Sequence, residues 1–138
     1  MQIREFQMAD YDAVIALWRA AGLQLSKSDD QVGILHKLER DSDLFLVGIE
    51  RETLVGAVVG AYDGRRGWVY HLAIHPTCHG RGLGAALLAA LEARLRRKGC
   101  RKVNLLIEPA NADVLRFYER FNYQRAELIF MEKWLTER

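Results

Sequence analysis

Hydrophobic positions along the chain change period several times, and the changes mark out alternating strands and helices. Residues 1–6 carry a short extended run. Behind it Tyr11, Val14, Ile15, Leu17, Trp18 and Ala21 fall on one face at helical spacing, which predicts a helix over about 11–21 with Asp10 as its cap. Ser28 followed by Gln31 has the capping-box pattern and opens a second helix to about Arg40. Residues 44–50 (LFLVGIE) and 54–62 (LVGAVVGAY) read as strands joined by a tight turn near Arg51 and Glu52. The cluster from Asp63 to Gly67 turns the chain into a third run, 68–75 (WVYHLAIH), which Pro76 ends. Three such runs in succession predict an antiparallel meander.

A glycine-rich stretch then opens a helix over about 82–98, dominated by Ala, Leu, Glu and Arg, with Gly99 at its C-terminal cap. Its last turns are crowded with Arg94, Arg96, Arg97 and Lys98, which suit the negative end of the helix dipole. Residues 102–107 (KVNLLI) predict another strand, Asn111 opens a helix to about Phe121, Asn122 suits a left-handed cap, and 125–134 predict a last strand. The run 68–75, the long helix and the run 102–107 form a strand–helix–strand crossover, so those two strands should be parallel neighbours. The expected fold class is α/β (α+β): one domain over 1–138, a mixed sheet with helices on both faces.

Composition narrows the picture. The chain has 138 residues, half of them hydrophobic, enough to bury a core. Its 20 basic and 18 acidic residues leave a net charge of +2, which supports neither a nucleic-acid partner nor a polybasic membrane anchor. Met1–Glu5 has no signal-peptide character and every apolar run is short, so a cytoplasmic protein is expected. Cys78 and Cys100 stand far apart in no metal-ligand spacing; they read as reduced thiols, and no metal is expected. Cys78 lies close to the glycine stretch, but no His or Asp is placed by sequence to activate it, so it reads as a small packing residue.

The most informative segment is 74–85, IHPTCHGRGLGA, directly after a strand and directly into a helix. Gly80, Gly82 and Gly84 remove side chains where the backbone must turn and let an anionic ligand touch the main chain. The first amides of a helix have no internal partners, and the dipole adds positive charge there, so a pyrophosphate is the natural guest. Arg81 projects from the turn toward a further phosphate. Gly80-x-Gly82-x-x-Ala85 also satisfies the dinucleotide fingerprint, but such a turn follows the first strand of its fold. Here it comes at residue 80, with barely one strand–helix unit left.

Taken together, LAIHP, His79-x-x-Gly82-x-Gly84 and NADVLRFYERFNY occur in the order and at the spacing that resemble the GCN5-related N-acetyltransferase (GNAT) superfamily, over essentially the whole chain. The YDGRRG turn, the HPxxxGRG segment and the FYER helix resemble its small bacterial YpeA-type members. His79 stands where the family usually has Arg or Gln, and Asn122 where Gly is common. The resemblance implies a centrally splayed sheet and acetyl-CoA as co-substrate. It implies that the backbone from Gly80 through Arg81, Gly82, Leu83 and Gly84 to Ala85, with His79, would hold the CoA pyrophosphate. Leu72, Ala73 and Ile74 would pair with the pantetheine amides by strand addition. Asn111 would meet the pantetheine arm, and Tyr118 matches the tyrosine beside the thioester sulfur.

The implied reaction is transfer of acetyl from acetyl-CoA to a primary amine, of a small molecule or a protein, by direct attack in a ternary complex. An amine with a pKa near 10.4 is neutral roughly once in a thousand molecules at pH 7, a penalty of about 4 kcal/mol. Positioning contributes roughly 7–11 kcal/mol, so a modest base suffices. Tyr118 is the expected general acid. Glu108, at the end of its strand, is a candidate base; relatives that carry a glutamate two residues earlier are matched here by Leu106. Tyr70 is a candidate for lining the acceptor pocket or relaying a proton. Alternation puts His71 on a face with Val69 and Ala73, apart from Trp68, Tyr70, Leu72 and Ile74, which reads it as structural. The acceptor site should involve residues 20–32. A non-catalytic acyl-CoA sensor is the rival reading, and a homodimer through the last strand is an open expectation.

Overall fold

The computed structural model describes residues 1–109 and 111–137, which divide into two compact units, 1–105 and 106–138. The first unit is a five-stranded sheet in the order β1 (Gln2–Glu5), β2 (Phe45–Glu50), β3 (Thr53–Tyr62), β4 (Gly67–Ile74), β5 (Val103–Asn104). The first three pairings are antiparallel and β4–β5 is parallel, so the sheet is mixed, as the crossover predicted.

Helices α1 (Tyr11–Ala20) and α2 (Gln31–Asp41) cover one face. Val14, Leu17 and Trp18 of α1 and Ile34 of α2 pack there with Phe6, Phe45, Val47, Ala57, Val59 and Ala73. Helix α3 (Leu83–Arg97) covers the other face and buries Leu87, Leu88, Leu91 and Leu95, each contributing roughly 1.5–3 kcal/mol. Gly56 and Gly60 of β3 let α3 approach closely: a methyl group on Gly56 would lie 2.8 Å from Leu87 Cδ1, and one on Gly60 would strike Leu91. Arg94 is not spent on the dipole alone, since it reaches Glu5 at 2.6 Å and the Asp43 carbonyl at 3.1 Å, while Lys98 meets Asp43 at 2.9 Å.

Two caps differ from the expectation. Asp10 makes no capping bond to α1; Arg4 takes its carboxylate in a bidentate pair at 2.8 and 2.9 Å. Helix α2 is capped by Asp30, which accepts from Gly33 N–H at 2.7 Å, while Ser26 and Asp29 form a box on the short 27–29 turn. Arg51 and Glu52 form the tight turn with φ of 47° and 66°, the left-handed pair that hairpins favour.

The second unit carries α4 (Ala112–Glu119). Asn122 follows it in the left-handed conformation at φ 69°, as expected. The predicted last strand is not formed: residues 124–134 have no strand hydrogen bonding, and Leu128, Ile129 and Met131 are 84 %, 91 % and 85 % exposed. A strand is stable only beside a ladder partner, and among the described residues the second unit has none to offer it. No helix among the described residues is long and apolar enough to cross a membrane.

Candidate active site

The glycine stretch resolves into a short turn, Pro76–Cys78, and the head of α3. Gly80 and Gly82 lie in the left-handed region at φ 79° and 76°, and a Cβ on either would meet nothing within 4 Å. Both therefore face open space in a conformation that glycine adopts most readily. Gly82 is the N-cap and offers no side chain to the helix; no acidic residue stands in the first turn. Ala86 N–H is the first to donate into the helix, to the Gly82 carbonyl at 3.1 Å. The amides of Leu83, Gly84 and Ala85 precede it and have no acceptor inside the helix. An uncapped helix head with no acidic residue in its first turn, next to two left-handed glycines, has the chemistry to receive an anion.

Two side chains of the cradle are occupied. His79 Nε2 donates to the Ile74 carbonyl at 2.9 Å, tying the turn back onto the end of β4. Arg81, which the sequence aimed at a further phosphate, forms a bidentate pair with Glu50 at 2.9 and 2.7 Å. The guanidinium holds the exposed Glu50 carboxyl below the usual carboxylate value. His75 Nδ1 accepts from Thr77 N–H at 3.2 Å and so shapes the same turn.

Strand β4 meets β5 through only two residue pairs, Gly67–Val103 and Trp68–Asn104. From Val69 to Ile74 its outer edge has no ladder partner among the described residues, so Leu72, Ala73 and Ile74 can accept another extended chain. On its inner edge Val59 pairs with Tyr70 and Ala57 with Ala73, so Val58 alone faces both His71 and Leu72. That is a β-bulge, and His71 sits in it at φ 42°, a left-handed conformation for a residue with a side chain. The bulge overturns the alternation read from sequence. Residues paired across a ladder share a face. Trp68, Tyr70 and Ala73 pair with Ala61, Val59 and Ala57 on the α1/α2 face, while Val69 and Ile74 pair with Gly60 and Gly56 on the α3 face. His71 also turns to the α1/α2 face, where its ring lies 4.7 Å from that of Trp18. Tyr70 beside it is 45 % exposed and stacks on Trp68. Burial, helped by the Asp63 carboxylate, raises the Tyr70 phenol above its ordinary value.

His71 Nε2 contacts Asp29 Oδ1 at 3.2 Å. Asp29 also accepts from Ser26 N–H at 2.9 Å, and its carbonyl accepts from the Tyr11 hydroxyl at 2.9 Å. Burial works to raise the Asp29 carboxyl; hydrogen bonds from His71 and Ser26 outweigh it and leave it below the usual carboxylate value. Sequence reasoning took His71 as structural and gave it no partner; the bulge carries no glycine to signal it.

The second unit holds the remaining candidates. Glu108 is exposed, and its carbonyl accepts from Asn111 N–H at 2.9 Å. Asn111 stands at the N-cap of α4 without a capping bond. Tyr118 is the one buried residue of α4, at 6 % exposure, with Phe117 and Tyr123 edge-on at 5.1 and 5.3 Å. Burial pushes its phenol up to about 12, so it stays protonated through the neutral range. Among the described residues no group of His, Cys, Asp and Glu is placed to hold a metal.

A mixed sheet, a two-pair β4–β5 ladder, a bulged β4 and a glycine-headed α3 place the chain in one structural class with the GNAT acetyltransferases. Residues 3–123 match the acetyltransferase (GNAT) family model, and the chain belongs to that family. Among curated relatives it is 40 % identical over 137 residues to an acetyltransferase of Pectobacterium atrosepticum, covering 99 % of this chain and 97 % of that one. It is also 40 % identical over 135 residues to an uncharacterized N-acetyltransferase of Yersinia pestis, covering 98 % and 96 %. Among solved structures, Ard1 of Thermoplasma volcanium superposes with a TM-score of 0.72 at 25 % identity, over 87 % of this chain and 80 % of that one. The PaiA N-acetyltransferase of Thermoplasma acidophilum, solved with coenzyme A, shares the fold at a TM-score of 0.74 and 20 % identity, over 87 % of each chain.

Proposed function

We propose that the protein is an N-acetyltransferase that moves the acetyl group of acetyl-CoA to a primary amine by direct attack in a ternary complex. The observation that carries this reading is the head of α3, where Leu83, Gly84 and Ala85 present amides behind two left-handed glycines with no acidic residue in the first turn. Those amides, with the backbone of Gly80, Arg81 and Gly82, receive the pyrophosphate. The unpaired edge of β4 at Leu72, Ala73 and Ile74 takes the pantetheine amides; a role for Asn111 toward the same arm rests on the family resemblance alone. The relatives' names support the acetyl group as cargo.

Tyr118 acts on the leaving sulfur. A phenol near 12 lies some 3–4 units above an ordinary thiol, so full proton transfer to the thiolate is uphill by about 4–5 kcal/mol. Its role is then a hydrogen bond to the sulfur as charge develops, strengthened by the dry surroundings that raise it. Calorimetric titration with acetyl-CoA and NAD tests the cradle: selective binding of acetyl-CoA is expected, and selective binding of NAD would overturn the reading. Thiol release across a panel of amines and peptides tests turnover. Tyr118→Phe should lower kcat roughly 100-fold with acetyl-CoA binding intact. An unchanged kcat would remove Tyr118 from the chemistry, and silence of the wild type across the panel would favour an acyl-CoA sensor.

A further inference from the structure

The roles assigned so far leave the strained pair on β4 without a purpose. A bulge residue at φ 42° is ordinarily glycine; histidine holds that conformation at a cost of order 1–3 kcal/mol. The ring packs against Trp18 and is engaged by a carboxylate from a turn 42 residues away in sequence. The Asp29 side chain is 12 % exposed and that of His71 28 %, so the pair is sheltered and its outer ring edge is still reachable. An ionised carboxylate only accepts, so Nε2 carries the ring proton and Nδ1 of the neutral ring holds the lone pair. Among the described residues Nδ1 makes no hydrogen bond.

The order of residues along β4 puts this lone pair at the reacting end, provided the acyltransferase reading above holds. Phosphates at 80–85 and amides at Ile74, Ala73 and Leu72 run the arm toward the start of the strand, and the next residue is His71. The α1/α2 face that His71 and Tyr70 share is formed by α1, α2 and the 27–29 turn, so an acceptor reaching the bulge from that side meets both rings.

We propose that His71 Nδ1 accepts the proton of the attacking amine, and that Asp29 is a positioning residue that fixes the ring's tautomer and supports the imidazolium. The acceptor arrives as an ammonium ion. One proton passes to Nδ1, and the freed lone pair forms the C–N bond to the thioester carbonyl carbon. The C–S bond breaks and the sulfur leaves with its electron pair. A second amine proton ends on sulfur to give the free thiol, and the imidazolium releases its proton to solvent. The titratable groups facing the ring are Asp29 itself, Tyr11 through its bond to the Asp29 carbonyl, and Tyr70 on the same strand face.

The test follows thiol release from saturating acetyl-CoA with spermidine, and with a short peptide bearing a free N-terminus and one lysine, across pH 5.5–9. Wild type should show an acidic limb in kcat/KM for the amine. His71→Gln should lower kcat/KM about 100-fold or more and remove that limb, with calorimetric acetyl-CoA binding unchanged. Asp29→Asn should lower kcat/KM, because an amide can also donate to Nε2 and so release the tautomer that the carboxylate fixes. His71→Gly relieves the left-handed strain while giving up the Asp29 and Trp18 contacts; it should still fold, lose turnover and regain part of it with added imidazole. The exposed His36→Gln, on α2, should leave the profile unchanged. Nitrogen-15 NMR of the ring needs no acceptor: it should show the Nε2–H tautomer in wild type. A wild-type limb in His71→Gln, no imidazole rescue of a folded His71→Gly, or an Nδ1–H tautomer would each overturn the proposal. Failure of wild type to bind acetyl-CoA would instead remove the acyltransferase reading beneath it.

Discussion

Gly82→Ala separates the fold from the ligand site. A methyl group at Gly82 meets nothing within 4 Å, so the substitution creates no clash. Its whole cost to the fold is the left-handed conformation at φ 76°, about 1–2 kcal/mol for a residue with a Cβ. In a chain of this size that lowers Tm by about 3–8 °C. Under the proposed function, the methyl group would project at the head of α3 where the phosphates would touch the main chain. Losing two charge-assisted hydrogen bonds, at about 1.5–3 kcal/mol each, weakens binding by about 3–6 kcal/mol, or a factor of about 100 or more in Kd.

Thermal unfolding with and without CoA reads both terms. At a CoA concentration of about 100 times the wild-type Kd, ligand stabilisation is about 2.7 kcal/mol. The same concentration with a Kd 100-fold weaker gives only about 0.4 kcal/mol. Gly64→Ala supplies the control, since Gly64 sits at φ 98° in the 63–66 turn with nothing within 4 Å. It should lose a similar amount of stability and keep the full CoA shift. If Gly82→Ala retains the CoA shift, the head of α3 is not where the phosphates bind.

Other outcomes follow from single residues. Asp41, only 6 % exposed, accepts from Lys37 at 3.1 Å, and Lys37 also donates to the Gly60 carbonyl. Burial holds the Lys37 ammonium below its ordinary value, so Asp41→Ala strands a buried cation and should cost about 3 kcal/mol in denaturant unfolding; a loss under about 1 kcal/mol would show the ammonium escaping to solvent. The Arg4 guanidinium, with the Gln7 amide, holds the Asp10 carboxyl below the usual carboxylate value. A depressed folded value gives stability that is full above the unfolded value of about 3.9 and is lost as pH falls through the folded value. Asp10→Asn should therefore be less stable than wild type at pH 7, and the gap should close in acid; a gap that persists at about pH 2 would assign it to packing. Cys78→Ala should retain kcat, because direct attack needs no acyl-enzyme. Loss of turnover together with an acetylated Cys78 by mass spectrometry would establish the other route.

Most of the sheet was legible because its determinants are local. Two-residue periodicity, the Arg51–Glu52 turn and Pro76 delimited β2, β3 and β4 to within one residue at most of their ends. The glycine cradle was legible for a related reason: left-handed backbone at Gly80 and Gly82 leaves a sequence signature, since glycine is the residue that tolerates it. What escaped depended on partners distant in sequence. Asp10 reads as a helix cap until Arg4 claims its carboxylate across the start of α1, and Arg81 reads as a free phosphate ligand until Glu50 takes it. The segment 125–134 has strand composition, but composition cannot supply the neighbour that turns a run into a ladder.

The bulge in β4 is the sharpest case, because one extra residue there reassigned the faces of the strand. Period-two alternation assigns a residue to a face only while the ladder is regular. With Val58 opposite both His71 and Leu72, each residue from Leu72 onward keeps its position in the sequence but exchanges faces relative to Trp68 and Tyr70. A glycine at 71 would have announced the break and left nothing there to react. Histidine conceals the break in the sequence and places an imidazole at the one point of β4 where two consecutive residues, Tyr70 and His71, both turn toward α1 and the 27–29 turn. The conformation that made the position hard to read is thus the same one that presents the ring, and the strain it costs is what a conservative replacement by glycine would release.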